Sequence, residues 1–141
     1  MTRKELWQKL KNLRYLKFEI ERYNNKIIEL REIATQITAQ YSEAPGGSGE
    51  SDIVGKNASD IAYYMFELKK ARMQRIKEEQ KLMRYVEQIT DTRVRLMVEL
   101  YYLDWHTWNE VADKIGGGNT EDTCRMAVKR YFQKKGGELD D

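Results

Sequence analysis

The chain has 141 residues, a formal charge of +2, 34% charged residues, one Pro and nine Gly, with a mean hydropathy of −0.80. That balance suits exposed helices better than a sandwich or barrel, and the length leaves little room for a catalytic domain with a deep pocket. One Cys and one His exclude an intramolecular disulfide and fall short of the three or four ligands of a common zinc site. With no signal peptide and no long apolar span, the expectation is a soluble cytoplasmic all-α protein with no enzymatic activity, no metal and no cofactor.

From Arg3 to Tyr41 the apolar residues Leu6, Leu10, Leu13, Leu16, Ile20, Tyr23, Ile27, Leu30, Ala34, Ile37 and Tyr41 recur at spacings of three and four without Gly or Pro. This predicts one long amphipathic helix whose stripe needs a partner. The run ends at Ser42–Ser51, rich in Gly and containing Pro45, which reads as a linker. No Gly-Lys-Ser/Thr follows it, so a phosphate-cradling loop is the weaker reading. A second helix is expected from about Asn57 to Val86, presenting Ala58, Ile61, Met65, Leu68, Leu82 and Val86. Residues 1–89 thus form a long coiled-coil-like hairpin with its loop at 42–56, closed within one chain or used for homo-oligomerisation. Interspersed acids argue against a membrane surface as the partner of this arm.

A new unit is expected at 90–135. Thr90 or Asp91 can cap a helix carrying Val94, Leu96, Met97, Leu100, Tyr101 and Leu103. Thr107-Trp-Asn-Glu110 is a capping box that opens a second helix, which stops at Gly116-Gly-Gly118. Asn119 or Thr120 caps the last helix, running to about Lys135 with Cys124, Ala127, Val128 and Tyr131 on its apolar face. Three short helices with a Gly turn before the last are the parts of a helix-turn-helix. Trp105, Trp108, Tyr101 and Tyr102 crowd the first turn, where they read as core aromatics more readily than as base-stacking platforms. Residues 136–141 read as an acidic tail.

Charge is uneven along the chain, and residues 119–135 hold five Lys/Arg against two Asp/Glu, the densest positive stretch. Arg125, Lys129, Arg130 and Lys134 lie largely off the apolar face, positioned to meet phosphates or base edges. Glu121 and Asp122 suit the helix dipole but stand at the end that normally enters the groove, where they repel phosphate.

The segment Leu100-Tyr-Tyr-Leu-Asp-Trp-His-Thr-Trp-Asn-Glu-Val-Ala-Asp-Lys-Ile-Gly116 resembles region 4 of sigma factors. Together with the long first helix and the loop Pro45-Gly-Gly-Ser-Gly-Glu-Ser-Asp-Ile-Val-Gly55, it resembles more closely the RinA/ArpU-like late transcription regulators of phages and prophages. The chain departs from the sigma pattern in a longer Gly116–Asn119 turn, and in Trp105 at a place where Gly is usual. The resemblance implies a regulator in the bacterial cytoplasm that binds double-stranded DNA, with RNA polymerase as a further partner. It places Thr120 at the cap of the recognition helix, and Arg125, Met126, Lys129 and Arg130 on its DNA-facing and following turns. Two alternatives are a packaging adaptor resembling a small terminase subunit and a polymerase-binding module that never touches DNA.

Overall fold

A computed structural model describes residues 1–43, 49–134 and 137–140, with side chains described for 1–37, 54–134 and 137–140. Five α-helices are present among them: α1 (Arg3–Glu43), α2 (Gly49–Val86), α3 (Thr92–Val98), α4 (Trp108–Ile115) and α5 (Glu121–Gln133). A π-helical turn, Glu99–Leu103, extends α3 directly. The only β pairing among the described residues is a single bridge, Thr2 with Glu138, so the expected all-helical class holds. No described helix is long and apolar enough to cross a membrane.

The chain divides into two compact units, residues 18–74 and residues 1–17 together with 75–141. In the first, the two long helices run antiparallel. The Asn57 side-chain amide donates to the Leu30 carbonyl at 3.0 Å, and seven residues on, the Tyr64 ring meets Tyr23 with 6.3 Å between centroids. A buried amide that finds its acceptor fixes register, because sliding the helices would orphan it. Ile20, Ile27, Leu68 and Ala71 are buried here.

Two features of the second long helix differ from expectation. It begins at Gly49, so residues 49–56 are helical where a loop over 42–56 is expected; the rest of that linker, 44–48, lies outside the described residues. A single interior Gly costs a helix only about 1 kcal/mol, and Asn57 ties this end of α2 to α1. The pairing seam also differs, for Ala58 and Met65 are exposed while Asn57 and Ala71 are buried.

The other unit holds the larger core. Leu6, Leu10 and Leu13 of α1 and Leu82, Tyr85 and Val86 of α2 pack with Val94, Met97, Val98, Val111, Cys124, Val128 and Phe132 in one cluster. The entries to the short helices follow from local sequence. Asp91 accepts from the Arg93 and Val94 amides, and Thr107 and Glu110 cap each other's amides reciprocally. Thr120 does the same with Thr123. Each cap satisfies donors that the first turn of a helix otherwise leaves free.

Of the segment expected as an acidic tail, residues 137–140 are described, and they are anchored. Leu139 is buried in the core, and the Asp140 amide donates to the Gln88 side chain at 2.7 Å. The side chains of Glu138 and Asp140 stay exposed while Leu139 supplies the apolar anchor.

Candidate nucleic-acid interface

Helix α5 packs on α3 and α4 through Cys124, Val128 and Phe132, all buried. Burial pushes the Cys124 thiol above its ordinary pKa, as suits a core side chain rather than a nucleophile. The turn that aims α5 consists of Gly116, Gly117 and Gly118, with φ of 67°, 63° and 79°. Three successive left-handed residues are tolerable only because none carries a Cβ. Asn119 closes the turn by donating its side-chain amide to the Gly116 carbonyl at 2.7 Å.

Opposite the buried stripe, Asp122, Met126, Lys129 and Gln133 form the outermost row of α5, and all four are exposed. Arg125 and Arg130 flank that row on opposite sides, about 140° apart around the axis at 3.6 residues per turn. At that separation they cannot converge on a single small group. Arg125 is exposed but ion-paired with Asp122, so the acid at the helix start neutralises the first basic residue. Lys129, Arg130 and Lys134 are also exposed, the last as the extended residue that ends the helix. Thr120 is committed to capping, its hydroxyl accepting from the Thr123 amide at 3.2 Å. The expected site residues therefore separate into a cap (Thr120), a paired cation (Arg125) and an exposed group (Met126, Lys129, Arg130, Lys134).

The start of α1 adds groups that patterning within 90–135 does not reach. A cleft of about 870 Å³ is lined by Arg3, Lys4 and Lys11 on one side and by Gln133 and Lys134 on the other. It joins residues more than a hundred positions apart, and the only sequence signal is the excess of Lys and Arg in 1–41. The Trp7 ring in its wall is stacked on Phe132 at 5.5 Å, carries the Lys11 ammonium at 3.5 Å, and donates its N–H to Tyr102. That ring is structural. So is Trp108, stacked on Tyr101 at 3.9 Å. Burial, partly offset by the Trp7 hydrogen bond, pushes the Tyr102 hydroxyl up to about 12.

Behind α4, the end of the π-helical turn is held by cations of the long helices. Arg14 donates to the Tyr101 carbonyl at 2.6 Å, Arg75 to Leu103 at 2.7 Å and Lys17 to Trp105 at 3.3 Å. Cations suit this end, where backbone carbonyls lack helical partners. Trp105 itself has φ of 61°, the one non-glycine residue in the left-handed region among those described. The Arg75 guanidinium lies 3.6 Å from its ring centroid and holds the strained residue in place.

No protein-family model, curated protein or solved structure matches the chain. Among the described residues no cluster of His, Cys, Asp or Glu is arranged to hold a metal ion.

Proposed function

We propose that this protein is a phage-type transcriptional regulator that binds double-stranded DNA through a sigma-region-4-like helix-turn-helix, with α4 as the supporting helix and α5 as the recognition helix. The observation that carries the reading is the outer face of α5. Met126, Lys129 and Gln133 are exposed in one row, Arg130 and Lys134 lie beside them, and the opposite face is locked into a core. A rigid helix with exposed cations and an exposed methionine is suited to entering a major groove, where Lys and Arg meet phosphates and guanine edges and a methyl-bearing side chain meets thymine. Trp105 supports the resemblance: the place where that pattern usually has Gly has a left-handed φ.

On this reading the basic second half of α5 carries the contact, and the phosphate track continues into the cleft at Arg3, Lys4 and Lys11. The test is fluorescence anisotropy on a prophage promoter fragment across a salt series. Each phosphate contact contributes about 0.9 to the slope of log affinity against log salt. Changing Lys129 and Arg130 to Ala is expected to weaken binding at least tenfold and flatten that slope by about 2. Binding that survives these changes together with Arg125→Ala would overturn the site.

A second reading has one observation in its favour. The Asp122–Arg125 pair and the exposed Glu121 make the front of α5 acidic to neutral, which fits a module that docks on RNA polymerase without touching DNA. Capture of polymerase by a chain that leaves the promoter fragment unbound at low salt decides for it.

A further inference from the structure

The segment Gly137–Asp140 lies against the start of α1 and the turn after α2, held along its backbone as a bound peptide would be. The Leu139 amide donates to the Met1 carbonyl at 2.8 Å, and Thr2 pairs with Glu138 in an antiparallel bridge. The Gln88 side chain clamps the next residue from both directions, donating to the Asp140 carbonyl at 2.6 Å and accepting from its amide at 2.7 Å. Gly137 is required where the segment passes Arg3: its φ is 141°, and a Cβ there would stand 2.8 Å from the Arg3 Nε.

Successive side chains of an extended chain point to opposite sides. With Leu139 fixed in the core, Glu138 is turned outward, and it stands in the lining of the basic cleft together with Arg3, Lys4, Lys11 and Lys134. Arg3 and Lys11 are engaged there, one with the Tyr131 ring and carbonyl and the other with the Trp7 ring. Lys4 and Lys134 are exposed. The other acid of the cleft, Glu5, belongs to the cap of α1 and accepts from the Thr2 amide at 3.2 Å.

We infer that this segment is a strap that sets Glu138 in the cleft as a competitor for phosphate. Its carboxylate offers the cations the negative charge and oxygen acceptors that a nucleic-acid backbone offers them, and so lowers the affinity of the cleft for duplex DNA. The choice of DNA rests on the proposed function, in which the cleft continues the phosphate track. The strap is anchored by a buried leucine and hydrogen bonds rather than by charge, so screening by salt does not release it.

Fluorescence anisotropy with a duplex of arbitrary sequence, and calorimetric titration with inorganic polyphosphate as a probe of the same chemistry, test this in the full chain. Far-ultraviolet circular dichroism checks folding. Glu138→Gln is expected to tighten both by about threefold at low salt, the effect of one unit charge within a Debye length of bound phosphates. Asp140→Asn makes the same change in net charge two residues along the strap, outside the cleft lining, and is expected to have a distinctly smaller effect. In a chain that also has Lys4→Gln and Lys11→Gln, most of the gain from Glu138→Gln is expected to disappear, as coupling between neighbours requires. A Glu138→Gln chain that binds no more tightly, an Asp140→Asn chain that gains as much, or a gain that persists in full without Lys4 and Lys11 overturns the inference. Tightened polyphosphate binding by a chain that leaves the duplex unbound upholds the strap and counts against the DNA-binding reading instead.

Discussion

The two units solve the same problem with different means. Residues 1–17 and 75–141 surround their apolar side chains on several sides, using the ends of two long helices, three short ones and a returning Leu139. Residues 18–74 have two helices only, which meet along one seam and leave Phe18, Phe66 and Met73 more than half exposed. A two-helix layer has one inner face per helix, so it buries the side chains of a single seam and leaves every other face open, whatever its composition. The unit of residues 1–17 and 75–141 is therefore expected to tolerate core truncation least, and residues 18–74 to tolerate it better.

The largest difference is expected from cavity formation. Met97 is fully buried in the larger core, and Met97→Ala is expected to cost about 4 kcal/mol in urea unfolding. Leu68→Ala, in the two-helix layer, is expected to cost nearer 2 kcal/mol, because a thin layer collapses into the space. An equal or larger loss at Leu68 would break the comparison.

Alkaline pH sharpens it. The Tyr102 hydroxyl titrates at about 12 when folded against an ordinary 10.0, so above pH 10 the unfolded chain ionises first and stability falls as pH rises. That difference in proton affinity corresponds to about 3 kcal/mol of stability, lost between about pH 10 and about pH 12. Tyr102→Phe is expected to remove most of that slope while costing about 1 kcal/mol at neutral pH, since the Trp7 N–H then loses its acceptor. Denaturation midpoints across pH would show both effects; an unchanged alkaline slope refutes the assignment.

Smaller effects come from the turn and the caps. Gly117→Ala places a Cβ at φ of 63° and is expected to cost about 1–2 kcal/mol by thermal unfolding, although its surroundings have room. Thr107→Ala is expected to cost about 1 kcal/mol through the lost cap. The His106 hydrogen bond, then those from the Thr107 amide and hydroxyl, hold the Glu110 carboxyl below its ordinary 4.5. Its contribution is thus present above that value and lost as pH falls through the lowered folded one. Glu110→Gln is expected to flatten the acid limb of the stability curve, and a limb that keeps its steepness would show that other carboxylates set it.

What was legible in the sequence was whatever depends on near neighbours. Asp91, Thr107 and Thr120 cap the helices expected of them because a cap is decided within three residues, and the Gly run marks its turn because only glycine repeats left-handed φ. The α1 stripe from Leu6 to Ile37 is buried or half-buried throughout. The α2 seam was harder, since apolar character alone favours Ala58 and Met65 over the polar Asn57, and the position of α1 decides which stripe is covered. Trp105 in a left-handed conformation, and the cleft joining Arg3 to Lys134, depend on contacts distant in sequence. That Met126, Lys129, Arg130 and Lys134 are exposed was legible because the outer residues of the last helix follow from its apolar face alone.

The distribution of tryptophan gives the molecule a built-in optical division. Trp7, Trp105 and Trp108 all belong to the unit formed by residues 1–17 and 75–141, and residues 18–74 contain tyrosine but no tryptophan. Indole emission therefore reports on one unit alone, whereas the far-ultraviolet dichroism of the long helices reports on both. A melt followed by the two signals at once resolves whether the units unfold together or in turn, with no label attached to either.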